Sequence, residues 1–489
     1  MAAILLYPTD RIFLVYVTVL HVFVGLAYAA RPSSPSSSEE AHRQHCAAAH
    51  EHIRSATQEG LTNNPLDIVR ASLLLVTKLY GQGDLLQSYV SCAEAIRLCL
   101  ILNLHQDPAS RGEDTSGELF FPLKPFIANR SVIRLNFQDC LEQEEARRTM
   151  LLAFMMDRMS TIVTLWPTNL NERDFKSDLP HHQLSKYLSL CPGIEDPTPL
   201  NAPTNTFKLQ DLDLLNVATG DLEQFLYKGG ILLGRCAEHA ASLPEHSSAE
   251  EIKSAGLFIQ MEASIALLQL GVHQMNDLNK SPLQVKASQD AVIGQSLPSI
   301  LSSQSITKFG KGMISVAHML PHACNLMLHD PLSDLSQESR EICNAAVQEI
   351  IRILRLIALH AAEEVFCQLD ITLIISITIT GQSLIRELQR LYLEDFNNYF
   401  TVDSSSIIDS IKQNATPTRL DQNAIHNNDQ GGPLGSIRAY LNITLLSLRQ
   451  IGKRWRIASQ LHDRLMRMLE FRRDDQRQGM IFSGHQREA

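Results

Sequence analysis

Apolar residues recur along this chain every three to four positions far more often than every second position, the spacing that gives a helix one buried face. The pattern predicts helices over about Pro65–Tyr80, Asp84–Leu104, Leu141–Leu165, Leu222–Leu243, Ser248–Leu278, Ile306–Leu328, Ser336–Ile357, Glu363–Leu393 and Ser436–Phe471. No sustained alternation of period two lies between turn signals, so strands are few at most. Helices of uneven length joined by uneven loops predict an all-α fold, a large irregular multi-helix domain with long loops rather than a regular bundle or solenoid.

The polar interruptions divide this pattern. An apolar run from Ile12 to Ala30 leads into Arg31-Pro32-Ser33-Ser34-Pro35-Ser36-Ser37-Ser38, which reads as a flexible break. Residues 1–40 are accordingly an apolar helix with a Ser/Pro linker, and 41–400 one large helical domain. Residues 401–435, closing with Gly431-Gly432-Pro433, read as a disordered loop. Residues 436–489 form a C-terminal amphipathic helix packing on that domain, followed by a basic tail. Residues 106–124 and 179–207 are rich in Pro, Ser, Asp and Gly and read as loops.

Within the helix that starts at Leu141, the acidic Glu144 stands three and four residues before Arg147 and Arg148, an order that supports a helix through local ion pairs. From Met150 onward nearly every turn is apolar on all sides, the mark of a buried helix. Asp157 and Arg158 interrupt it, and Ala153, Phe154, Thr161 and Ile162 offer them no opposite charge. Their partners must come from elsewhere in the fold, because an unpaired buried charge is too costly to keep. The two therefore read as a buried structural pair, and Pro167 after Trp166 stops the helix.

These residues carry a resemblance. Glu144-Glu145-Ala146-Arg147-Arg148, the Phe154-x-x-Asp157-Arg158 stretch, Trp166-Pro167, Leu170-Asn171-Glu172-Arg173-Asp174 and Leu179-Pro180 are similar to the fungal-specific transcription factor domain. That domain is the middle homology region of fungal binuclear zinc-cluster regulators. Upstream, Gln87-Ser88-Tyr89 through Ala95-Ile96-Arg97-Leu98 to Leu102-Asn103-Leu104-His105 resembles a helix that ends Leu-Gly-Leu-His in that family. This sequence departs from the family pattern twice: Met150 and Leu151 stand where an aromatic usually follows the Arg-Arg pair, and Leu165 where a glycine usually precedes Trp-Pro. The resemblance implies a scaffold role for Glu145, Arg147, Arg148, Asp157, Arg158, Trp166, Pro167 and Pro180. It also implies a nuclear regulator of transcription, of a metabolic or biosynthetic pathway in the family's usual manner. Homodimerisation, transcription partner proteins and a small-molecule effector are left open as partners.

Composition refines this picture. The 489 residues are 44% hydrophobic and 20% charged, a globular balance with a sizeable core, and the formal charge of −10 argues against the whole chain binding nucleic acid. Residues 448–480 run the other way, with nine basic against four acidic side chains, and read as a solvated amphipathic helix. The Lys453-Arg454-Trp455-Arg456 cluster lies on its apolar periodicity, which places Trp455 in a core rather than on a base-stacking surface. Nine cysteines are scattered with no Cys-x-x-Cys pair, so these residues do not hold a binuclear zinc cluster. Zinc is expected only if such a cluster lies upstream. DNA is then reached indirectly: through that missing segment, or through a partner that supplies the contact.

Local catalytic motifs are missing: no phosphate loop, dinucleotide fingerprint, His-Glu-x-x-His or nucleophile elbow occurs, and the chain reads as no enzyme. His42, Cys46 and His50 fall four apart on one helical stripe, too spread to reach one ion, and read as a polar surface helix. His318 and His322 are also four apart, but Pro321 should disturb the helix that aligns them. No catalytic, cofactor or metal residue is assigned. Alternatives from other classes are an all-α enzyme whose site forms only in three dimensions, and a membrane-tethered or secreted protein using residues 12–30. In the second of these, Ala27-Tyr28-Ala29 would be a signal-peptidase site. A buried first helix is the preferred reading of that run, with a nuclear location.

Overall fold

The computed structural model describes residues 35–58, 65–106, 135, 140–164, 166–175, 177, 222–244, 247–277, 308–360, 371–398, 433–453 and 455–469. Among them there is no strand, and the fold is all-α. The chain divides into two compact units, 1–217 and 218–489, so the boundary falls inside the 41–400 stretch that reads as one domain from sequence. The apolar run 12–30, residues 401–432 and Pro180 lie outside the described residues, while the end of the 401–435 stretch expected to be a disordered loop is helical from Pro433 onward. No described helix is long and apolar enough to cross a membrane.

Among the described residues, the N-terminal unit has four helices: α1 (Pro35–Gln58), α2 (Pro65–Gly81), α3 (Leu85–Ile101) and α4 (Cys140–Thr164). A short 3-10 turn follows at Glu172–Asp174. Helix α1 replaces the break expected at Arg31 to Ser38 from Pro35 onward. Proline suits the first helical position, where its fixed φ is already helical and its missing N–H has no bond to lose. Helix α2 packs against α1, α3 and α4, and α3 also packs against α4. Its sequence explains this central place, since Ile68, Val69, Leu73, Leu75 and Val76 are all nearly inaccessible. Asp84 caps α3 by accepting a 3.2 Å bond from the amide of Gln87.

The C-terminal unit is built around α8 (Lys308–His329), which packs against α5 (Leu222–Ala241), α7 (Gly256–Asp277), α9 (Gln337–His360) and α10 (Ile371–Asn398). The short α6 (Ala249–Ser254) precedes α7, and α11 (Pro433–Gly452) lies against α9 and α10. A last helix, α12, covers 456–469.

Pro321 stands inside α8, which continues through it, contrary to the expectation that it would break the alignment of His318 and His322. A mid-helix proline costs about 3 kcal/mol. The surrounding Met319, Leu320, Ala323, Cys324 and Leu326 are completely buried, and each large apolar side chain contributes about 1.5–3 kcal/mol. Packing therefore outweighs the proline.

Two sequence-expected helices prove to be pairs. The 248–278 helix breaks at Ala255, which is extended (φ −65°, ψ 132°), after a capping box between Ser248 and Glu251 starts α6. The 436–471 helix breaks between Gly452 and α12, where a Cβ on Gly452 would run into Ser459. Trp455, expected in the core, is half-buried at this corner.

Helix α10 forms from Ile371-Thr372-Leu373-Ile374-Ile375-Ser376-Ile377-Thr378-Ile379-Thr380, a β-branched run that by propensity alone favours a strand. It is helical because it is buried, and because its hydroxyls need no outside partner. Ser376, Thr378 and Thr380 each donate to the carbonyl four residues earlier, at 2.7–3.0 Å.

Candidate functional site

The sequence-marked residues converge in the N-terminal unit. At the start of α4, Glu144 is almost wholly buried and accepts from Arg147 at 2.8 Å and from Arg148 at 3.0 Å. Glu145, one position on, faces α2 instead and pairs with Arg70 at 2.7 Å, while Arg70 also holds Asp67 at 2.9 Å. The two adjacent glutamates thus have different tasks. Glu144 neutralises the arginines of its own helix, and Glu145 ties α4 to α2.

About three and a half turns further along, Asp157 is completely buried. Its carboxylate accepts from the backbone amide of Asn169 at 2.9 and 3.0 Å, from the Asn169 side-chain amide at 2.8 Å, and from the Leu170 amide at 3.0 Å. Arg158 points to the same segment from the other direction, donating to the Leu170 carbonyl at 2.7 Å with its guanidinium 4.6 Å from the Phe154 ring centre. Asp157 takes its bonds from this loop and not from Arg158, which differs from the ion pair expected between two adjacent buried charges. Neighbours in a helix project about 100° apart, and the folded-back loop offers the carboxylate amides that are fixed in place.

The loop so held is the Trp166-Pro167 reversal. The Trp166 amide donates to Thr164 Oγ1 at 3.2 Å. Tyr89 of α3 meets the Trp166 ring edge-on at 5.1 Å between centres and donates its hydroxyl to the Pro167 carbonyl at 2.8 Å. Beyond it, Phe175 is fully buried against Phe154, 5.3 Å between rings. Asp157, Arg158, Tyr89 and Thr164 together fix the chain as it leaves α4. Arg70 and Asn169 are members that pattern reading did not single out, because their partners lie 75 and 12 residues away, and Tyr89, quoted there only as part of the family-like helix, reaches a partner 78 residues away.

The Leu102-Asn103-Leu104-His105 segment also acquires a physical meaning. Asn103 has φ 57°, the left-handed region, and the amide of Leu104 reaches back to the Cys99 carbonyl at 2.9 Å to close the end of α3. Glycine is the usual residue in such a position, and asparagine is the next best tolerated.

Titratable groups in the C-terminal unit gather where α8 ends. His329 is buried, with Nε2 3.4 Å from Glu262 of α7 and Nδ1 3.3 Å from the Ser339 hydroxyl of α9. Burial, with the nearby Lys253 ammonium adding to it, lowers its pKa to about 4. The neutral ring therefore donates from Nε2 and accepts at Nδ1. Lys253 of α6 bonds Glu338 and Ser336, each at 2.8 Å. Asp330, whose carboxyl is raised by burial against the opposing pull of Arg386, pairs with that arginine at 2.8 Å. The space among Asp330, Arg340, Ser383 and Arg386 holds about 10 Å³, one water's worth. A second hollow, of about 200 Å³, lies between α5 and α6 beside His239 and Ile252, and its carboxylate, Glu251, is occupied by the capping box.

Nucleophile, base and orienting group are not brought together in any of these places. Of His42, Cys46 and His50, expected on a polar surface helix, Cys46 is buried on α1, His50 is half-buried with its pKa lowered by burial and then by Lys78, and the His42 side chain lies outside the described ones. Among the described residues, no three His, Cys, Asp or Glu side chains converge as a metal site would require.

No curated protein and no solved structure matches this chain. A model of the fungal specific transcription factor domain does, over residues 12–184, the stretch that contains α1 to α4, the Asp157 carboxylate and the loop it holds. By that match, this part of the chain is a fungal specific transcription factor domain, the mark of a family of fungal transcription regulators and not of an enzyme family.

Proposed function

We propose that the chain is a nuclear regulator of fungal gene expression, without catalytic activity, in which these helices form the regulatory and interaction part. The observation that carries this reading is the use to which the motif charges are put. Asp157 and Arg158 are the only acid-base doublet inside α4, and both are spent on the Asn169–Leu170 backbone. A substrate would have to displace bonds that hold the domain together.

DNA contact belongs to a zinc cluster outside these residues or to a partner protein, since the nine cysteines lack cluster spacing. Zinc would accompany that cluster, and this chain needs no cofactor of its own. Other transcription proteins and a small-molecule effector are the partners this reading admits, with no role for a membrane. The controlled genes would belong to a metabolic or biosynthetic pathway.

Transcript profiling of a strain lacking the gene, together with chromatin mapping of the tagged full-length protein, tests this. A defined set of genes should change expression, with the tagged protein found at their promoters. Exclusion of the protein from the nucleus, or an unchanged transcriptome, would overturn the reading. Site-preferring DNA binding by these 489 residues alone, with a steep salt dependence, would overturn the separate claim about DNA contact.

A further inference from the structure

Helix α3 turns Ser88, Cys92, Ala95, Ile96 and Cys99 inward, all buried, towards α2 and α4. The opposite face of such a helix is normally charged. Here Leu86 is 64% exposed, Val90 43% and Ile101 42%, with the half-buried Ala93 between them. At 100° per residue these four positions and Arg97 fall within about 80° of arc, a stripe about four turns long. Arg97 is exposed at the centre of that arc, and among the described residues it has neither a hydrogen bond nor an ion pair. Glu94, at the edge, leaves it unpaired and acts instead on His50 of α1. Tyr89, one turn on from Leu86, meets the Trp166 ring at 5.1 Å and carries the apolar surface on to the exposed Pro167.

We infer that this stripe is a docking surface for an amphipathic helix of another protein, one whose apolar face carries a carboxylate. Exposed apolar side chains gathered in one patch mark an interaction site rather than a solvated face. The steps from Leu86 to Val90, Ala93, Arg97 and Ile101 are of three or four residues, the spacing with which two helices meet along a seam. Arg97 selects the partner. Any chain laid over the stripe takes water from its guanidinium, and a desolvated cation without a counter-charge is costly. A carboxylate opposite it replaces that cost with a charge-assisted, two-pronged hydrogen bond. A purely apolar helix would strand the cation, and a basic one would repel it. A second copy of α3 brings no carboxylate within the stripe to meet it. Leu86 and Ile101 then seat apolar side chains at the two ends of the stripe, about 22 Å apart. The inference rests on the surface of α3 and does not depend on the regulatory function proposed above.

Photo-crosslinking in the native cells tests it. Benzoylphenylalanine takes the place of Val90, or of Ile101 as a second position, in the tagged full-length chain, and the crosslinked peptide is sequenced by mass spectrometry. That peptide should come from another protein, with apolar residues at helical spacing and an Asp or Glu among them. Arg97→Glu should lower the crosslink yield by about tenfold or more. Arg97→Lys keeps the charge and loses the planar fork, so its yield should fall by less. Helical circular dichroism should stay unchanged in both variants, since Arg97 bonds to no described residue. Crosslinks confined to this chain or its copies, or no crosslink from either position, would overturn the inference. So would a peptide without acidic residues, or a yield indifferent to Arg97→Glu.

Discussion

Two aspartates, the buried Asp157 in the N-terminal unit and the half-buried Asp330 in the C-terminal one, each fix the chain beside a helix end, by different means. Asp157 spends its carboxylate on the backbone amides of Asn169 and Leu170 and the Asn169 side chain, all within thirteen residues of it. Asp330 meets the guanidinium of Arg386, 56 positions along the chain, in a cluster that also draws His329, Glu262, Lys253, Glu338 and Ser339 from four helices. The first arrangement is local and rests on fixed backbone donors. The second is assembled by tertiary packing and rests on side chains, several of them partly exposed. Removing a carboxylate from the first strands donors in the interior, whereas the second can be rehydrated. Their tolerance to change should differ accordingly.

The largest effect should come from Asp157→Ala, which leaves the Asn169 and Leu170 amides without acceptors. We expect a loss of about 3–5 kcal/mol, seen as an earlier denaturant midpoint. Asp157→Asn should recover only part of it, because its amide nitrogen turns a donor toward donors. Next comes Glu144→Gln, which leaves the buried Arg148 with a neutral partner and should cost about 2–3 kcal/mol by the same measurement. Arg386→Ala should cost about 1 kcal/mol or less, since that side chain is 43% exposed. Equal losses at Asp157 and Arg386 would erase the contrast between the two sites.

A pH titration sharpens it further. His329 has an ordinary value of 6.5 and is held at about 4 in the fold. Between those values the unfolded chain binds a proton that the folded chain does not, so stability declines as pH falls from 6.5 toward 4. His329→Gln should flatten that part of the stability curve. The smallest effect concerns the thiols: Cys92, Cys99, Cys324 and Cys343 are buried with their pKa values raised, that of Cys99 to about 12. Burial is the first cause in each. They should resist alkylation in the native protein and react on unfolding.

The helices were legible because their apolar spacing is a local property, and the Glu144 pairs because both partners sit within one turn. The family motif was legible for the same reason. The task of Asp157 was not, since nothing in its helix reveals that Asn169 and Leu170 fold back onto it. Ala255 gave no break signal beyond the Gly256 that follows, so α6 and α7 read as one helix. Pro321 gave a strong signal that burial of α8 overrode. The Asp330 cluster could not be read at all, its members being spread from Lys253 to Arg386. The outer stripe of α3 was visible as apolar sequence, and only the structure shows which part of it faces water.

The central claim is that Asp157 is scaffold, holding the Trp166-Pro167 reversal through two backbone amides. Hydrogen exchange on the full chain measures this directly. The amides of Asn169 and Leu170 should be protected in the wild type and exchange freely in Asp157→Ala, with α8 to α10 unchanged in both. Rapid exchange of those two amides in the wild type, or equal protection in the variant, would contradict it.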